Sequence, residues 1–194
     1  MHALPAAPPP PPQRQVLVGT ALASAATLML IGSMLAVWWV LRDRALAVDE
    51  GTWLPSGVTI PEVPANTMLI GLCGLLVFAH WAIYAVRRQD RAHGALALGL
   101  VAFVALAIVN AQAYVWNQME LPISEEGGYA TMFYAVTGTM TALLVIGIVF
   151  TGVVAFRVLG GRSRDQELVV ANTLYWYVLT AAFTAMWFVV YVTK

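Results

Sequence analysis

Five long apolar runs divide this chain, and none of its ten basic and ten acidic side chains falls inside them. The runs cover residues 15–41, 67–86, 94–118, 129–156 and 171–193. Each reaches the roughly 20 residues that a helix needs to cross a hydrocarbon core about 30 Å thick. Lipid offers no water to the backbone, so such runs must satisfy their own N–H and C=O groups, and a helix does this. The pattern predicts an all-α membrane protein with five transmembrane helices in one bundle over residues 15–194, after a proline-rich leader at 1–14. The first and fourth runs are longer than a crossing requires, so those helices should tilt or project beyond the bilayer.

Charge placement narrows the function. A charged side chain at mid-bilayer costs about 2.5–3.5 kcal/mol on insertion scales, so ion and proton pumps keep one only where it works. The five runs keep none, which argues against ion chemistry in this chain alone and for a membrane subunit serving another protein. With 60% hydrophobic and only 10% charged residues, the chain leaves no room for a separate soluble domain. Zero net charge argues against a nucleic-acid partner. The single cysteine, Cys73, excludes an intrachain disulfide and reads as a small apolar packing residue.

Arginine placement orients the bundle. With the N-terminus cytoplasmic, Arg14, Arg87, Arg88, Arg91, Arg157, Arg162 and Arg164 lie inside, and Arg42, Arg44 and Lys194 outside. That asymmetry follows the positive-inside rule and puts the C-terminus outside, in the plasma membrane of a cell. The acidic loop with Glu120, Glu125 and Glu126 then faces out. Aromatic belts fit the register, with Trp38, Trp39 and Trp53 at the outer side and Tyr175, Trp176 and Tyr177 where the last helix begins inside. The apolar stretch after Arg14 is too long for a secretory signal and reads as a retained helix. Pro8 to Pro12 favour an extended solvated spacer.

The polar residues inside the runs are few. His80 lies about two turns from the inner arginines, and the other histidines, His2 and His93, belong to the leader and a loop. Two histidines of one chain therefore cannot hold a haem, which leaves only a His80 pair across a homodimer, and an interhelical hydrogen bond or a headgroup contact is the expected role of His80. Asn110, Tyr114 and Asn117 share one face of the third helix, with Gln112 and Trp116 as a second pair. They fit a substrate path, or more simply a helix held in its bundle by amide hydrogen bonds. Thr137, Thr139 and Thr141 can bond back to the preceding turn and need no ligand. Gly19, Ala23, Thr27 and Gly32 form a small-residue stripe suited to a helix–helix interface, within the chain or against a neighbour. No phosphate loop, dinucleotide fingerprint, nucleophile elbow or paired-cysteine metal site occurs.

The order of several short stretches resembles subunit III of the haem–copper (cytochrome c) oxidases, in the five-helix bacterial form without the family's first two helices. Thr27-Leu28-Met29 and Gly32 stand at the family's Ser-Glu-x-Met stretch, and Trp53-Leu54-Pro55 at its Trp-Pro-Pro. Arg88-Gln89-Asp90 stands at its Arg-Gly-Asp. Gln112 and Tyr114 match the third helix, and Tyr129, Phe133, Tyr134, Thr137 and Gly138 the entry to the fourth. Tyr175 and Trp176, then Trp187 and Tyr191, match the last. The departures are systematic. The family's buried glutamate falls on Thr27, and its Phe-His-Gly-x-His on Thr139, Met140, Thr141, Ala142 and Leu143. A further glutamate falls on Val115, and the His and Asp of the last helix on Tyr177 and Thr180.

The resemblance implies a non-catalytic accessory subunit of a respiratory terminal oxidase, with Gln112, Tyr114, Tyr134, Gly138, Tyr175 and Trp176 as packing positions. It implies no catalytic, metal or cofactor-binding residue in this chain. Haem and copper would sit in the partner subunits I and II, and structural lipids would line the bundle. The polar positions tied to proton uptake in the family are missing here. Helices one and four are the expected contact surface. The alternatives are the accessory E-type subunit of nitric oxide reductase, a stand-alone small-molecule transporter lined by Asn110, Gln112 and Asn117, and a membrane scaffold.

Overall fold

The structure is a computed structural model that describes residues 14–48, 52–121, 128–161 and 165–193. The proline leader with His2, the acidic pair Glu125 and Glu126, and Arg162, Arg164 and Lys194 lie outside the described residues. Five helices follow one another: α1 (Gln15–Leu46), α2 (Glu62–Arg87), α3 (Arg91–Met119), α4 (Tyr129–Leu159) and α5 (Asp165–Met186). The last runs on without a break into a π-helical turn, Trp187–Val192. All five crossings are long and apolar enough to span a membrane.

The helices outrun the apolar sequence at their ends, because polar residues can extend a helix into the interface. α1 adds Arg42, Asp43 and Arg44, and at 32 residues is about 48 Å long for a rise of 1.5 Å per residue. α2 begins five residues early at Glu62, with Pro61 just before it and Pro64 in its first turn. Proline is tolerated where backbone N–H groups lack a helical acceptor, and Glu62 faces the positive end of the helix. α5 begins six residues before its apolar run. Tyr175 and Trp176 consequently lie about 15 Å into the helix rather than at its entry.

α2, α3, α4 and α5 close a four-helix ring, each packed on the next and α5 back on α2, while α1 rests outside on α5 and, less extensively, on α4. The tightest seam joins α2 to α3 through a turn at Arg88, Gln89 and Asp90. Gln89 there has φ 62°, and the Asp90 carboxylate caps α3 by accepting from the His93 backbone N–H at 3.1 Å. A Cβ on Gly94 would come within 2.9 Å of Val86 Cγ2, so glycine is what allows the two helices to meet just after the turn.

Two expectations about the outer layer are corrected. The belt aromatics are mostly core: Trp38, Trp53, Tyr175 and Trp176 are buried, and only Trp39 and Tyr177 are exposed. Rings of that size fill the gaps between helices as readily as they mark an interface. Cys73 faces outward from α2 and packs nothing in the core.

Candidate functional site

The polar groups of the bundle gather in three places. At the end of the bundle where α1 finishes and α4 starts, the loop before α2 folds Trp53 onto both helices. Trp38, Trp53 and Tyr129 meet there with ring centroids 5.2–5.4 Å apart. Tyr129 stacks on Phe133, which meets Tyr191 edge-on at 6.2 Å. The Tyr191 hydroxyl donates to Gln112 Oε1 at 3.2 Å, and Trp116 Nε1 donates to Thr137 Oγ1 at 3.0 Å. Thr137 in turn donates to the Phe133 carbonyl one turn back. Gln112 Nε2 is buried and finds no partner among the described residues. The π-turn contributes here: Trp187 donates to Asn66 Oδ1 at 3.1 Å. Beside it opens a cavity of about 340 Å³, lined by Glu62, Ala65, Asn66, Trp187, Tyr191 and Val192.

A second group lies deep between α4 and α5. Thr151 Oγ1 accepts from Asn172 Nδ2 at 3.0 Å and from Trp176 Nε1 at 2.8 Å, and donates to the Gly147 carbonyl at 2.8 Å. Gly147 is held by shape as well, since a Cβ there would come within 2.9 Å of both Trp176 and Tyr175. Tyr175 donates to the Leu143 carbonyl at 2.8 Å. Thr173 crosses to α2, sharing its hydroxyl between its own helix and the Ala79 carbonyl at 3.3 Å. Among the described residues these groups satisfy one another, so the network fixes the register of the helices.

The third is a pair facing outward from the α2–α5 seam. The Tyr177 hydroxyl and His80 Nδ1 are 2.9 Å apart with their rings edge-on, so His80 makes an interhelical hydrogen bond. His93 instead pairs with Asp90 at 2.7 Å in the α2–α3 turn. Among the described residues no three His, Cys, Asp or Glu side chains come close enough to hold a metal ion.

The residues singled out from sequence separate accordingly. Gln112, Trp116, Tyr134 and Thr137 fall in the first group, where the Tyr134 hydroxyl donates to the Leu121 carbonyl at 3.3 Å, and Tyr175 and Trp176 fall in the second. Gly138 is half-buried, with no neighbour near the place of a Cβ. Tyr114 points outward, as do Asn110 and Asn117, so these three do not glue α3 into its own bundle, and with Gln112 turned inward they share no path. Of the small-residue stripe, Thr27 is buried, while Gly19, Ala23 and Gly32 face outward; the buried line of α1 is Ser24, Thr27, Ile31, Leu35 and Trp38. Sequence reasoning missed Thr151, Asn172 and Glu167. The i, i+4 pairs Gly147/Thr151 and Asn172/Trp176 were the signal for the first two, because each pair presents one face to a neighbour.

No known protein-family model matches the chain. Individual relatives do. The chain is 27% identical over 165 residues to cytochrome c oxidase subunit 3 of Prototheca wickerhamii, covering 80% of this chain and 62% of that protein. It is 27% identical over 136 residues to a probable cytochrome c oxidase subunit 3 of Rickettsia bellii, covering 68% and 46%. It is 26% identical over 167 residues to the same subunit of Neurospora crassa, covering 81% and 61%. The chain is similar in sequence to cytochrome c oxidase subunit 3. It spans between 46% and 62% of the length of these subunit 3 relatives. The similarity covers most of the helical region, and the subunit 3 resemblance read from short stretches agrees with it.

Proposed function

We propose that the chain is a non-catalytic accessory subunit of a respiratory haem–copper terminal oxidase. It would be a multi-pass protein of the plasma membrane, oriented with its arginine-rich end in the cytoplasm. The similarity to proteins named cytochrome c oxidase subunit 3, over 65–81% of this chain, carries the reading. The partners would be the catalytic subunit I and subunit II, and these would hold the haem and copper. Of the chain's histidines, His80 and His93 lie among the described residues and are engaged by Tyr177 and Asp90, which suits a subunit whose work is structural. Its internal polar groups mainly tie helices to one another, so it would support the assembly, with lipids along its outer faces, while the catalytic subunit oxidises the donor and moves protons. No specific observation favours a nitric oxide reductase, transporter or scaffold role.

The test is purification of the tagged protein from native membranes in mild detergent, followed by a reduced-minus-oxidised visible spectrum. Stoichiometric haem bands with a large polytopic companion are expected. A colourless protein, alone or self-associated, would overturn the reading.

A further inference from the structure

Where α2 starts and α5 finishes, the cavity of about 340 Å³ is built from two helix faces. Glu62, Ala65 and Asn66 lie at i, i+3 and i+4 on α2 and so share one side. Trp187, Tyr191 and Val192 come from the π-helical turn, whose i→i+5 bonding brings residues four and five apart to one side. Glu62 stands five residues before the apolar run that begins at residue 67, roughly 8 Å along the axis. The cavity therefore opens at the level where hydrocarbon gives way to headgroups.

The polar atoms of both rings are engaged. The Trp187 indole N–H donates to Asn66 Oδ1, and the Tyr191 hydroxyl to Gln112 Oε1. What the two side chains can offer a ligand is their ring faces. The charge around them is of one sign. Glu62 puts a carboxylate at the first position of α2, opposed only by the partial positive charge at that helix end. Val192 ends the π-helical turn, so the partial negative end of α5 opens on the same cavity. Among the described residues no arginine, lysine or histidine lines it.

An anion finds no partner in such a lining. A metal ion needs several oxygen ligands, and among the described residues Glu62 brings the one carboxylate. An organic ammonium group is matched: the carboxylate balances its charge, and aromatic faces attract it within about 6 Å of a ring centroid. The volume lies near the small end of ligand sites, roughly 300–1,000 Å³, and suits a cation of headgroup size. We propose that this cavity binds an organic ammonium group, supplied by the headgroup of a zwitterionic phospholipid or by a free amine. The site belongs to this chain alone and stands apart from membership of an oxidase.

The test follows the indole N–H resonance of Trp187, assigned with Trp187→Phe, in the full-length protein in phosphatidylglycerol nanodiscs at neutral pH. Tetramethylammonium chloride should shift it saturably, and sodium chloride at equal ionic strength should not. If phosphatidylcholine nanodiscs hold the resonance at the shifted position from the outset, the lipid headgroup is the source. The same titration in both lipids makes a free amine the source. Glu62→Gln, a change at an exposed helix start, should weaken half-saturation about fivefold. The Trp176 indole, buried between α4 and α5, should stay in place and so verify the fold. If it moves, the contrast between the two salts in the unaltered protein decides. An equal shift with sodium, no shift in either lipid, or an unchanged response in a folded Glu62→Gln overturns the site. Lys194, outside the described residues, carries an ammonium group two residues beyond Val192. A response seen only in Lys194→Gln would mean that the chain's own lysine fills the cavity, and would overturn an external ligand.

Discussion

Glu167 Oε1 accepts a hydrogen bond from the backbone N–H of Val16 at 3.1 Å, across 151 residues of sequence. The same oxygen takes the Leu17 N–H at 3.2 Å. The first N–H groups of any helix lack an acceptor within it, and α1 has neither a capping side chain at Arg14 nor an acid in its first turn. α5 supplies both the missing acceptor and a negative charge at the positive end of the α1 dipole. This matters because α1 lies outside the four-helix ring and shows most of its surface to lipid.

Glu167→Ala should therefore loosen α1 without disturbing the ring. The loss should be about 0.5–1 kcal/mol, in the range of a helix-end charge with its hydrogen bonds. Hydrogen exchange in detergent should speed up at Val16 and Leu17 while amides in α2 to α4 stay protected. Unchanged exchange at Val16 would show that the carboxylate is dispensable.

Thr151→Val keeps the shape of the side chain and deletes the oxygen on which Asn172 and Trp176 converge. Two buried donors lose their acceptor at once, at about 1–3 kcal/mol each. The variant should lose roughly 2–6 kcal/mol of stability by that arithmetic, read as a lower midpoint in thermal unfolding. Asn172→Leu in the same background should recover part of the loss, since one orphaned donor disappears. Additive losses in the double variant would show that the two side chains act independently.

The crossings were legible because the apolar runs state their own number and approximate place. Helix ends were not, since Asp165 to Val170 and Glu62 to Asn66 are helical by context while their composition reads as loop. The reading of side-chain orientation was less direct. It failed for Asn110, Tyr114 and Asn117: in a bundle with lipid outside, polarity does not distinguish a core amide from one turned outward. Tyr175 and Trp176 failed as belt residues because the start of α5 was placed nearly two turns late, and Trp38 and Trp53 because they fill the space between α1 and α4. Glu167 could not be paired with α1 at all, as no local rule links residues so far apart.

Asp90 gives a prediction in pH. Its carboxyl is held below the ordinary value of 3.8, chiefly because the His93 backbone N–H donates to it. A depressed carboxylate contributes stability that is present above its unfolded value and lost as pH falls through the folded one. The start of α3 should thus stay capped down to about pH 3.8 and fray below it, seen as faster exchange of the His93 amide. Asp90→Asn retains a capping oxygen and should remove that pH dependence. A His93 amide equally protected well below pH 3.8 would show that the cap does not hold the helix start.

Gln89, one residue earlier, occupies the left-handed region with φ 62°. That conformation costs a side-chain-bearing residue about 1–2 kcal/mol, whereas glycine adopts it freely. The related family's Arg-Gly-Asp places glycine at this very position of the turn. Glycine is also more disordered when unfolded, which offsets about 0.5–1 kcal/mol of the gain. Gln89→Gly should consequently raise stability by about 0.5–1 kcal/mol, with a higher thermal midpoint in detergent. Gln89→Ala, which keeps a Cβ, should leave the midpoint nearly where it is, and Gln89→Val should lower it, because branching at Cβ crowds the left-handed backbone further. A glycine variant no more stable than the alanine one would mean that the turn is not strained at Gln89 and that the α2–α3 seam is set by Gly94 and the Asp90 cap alone.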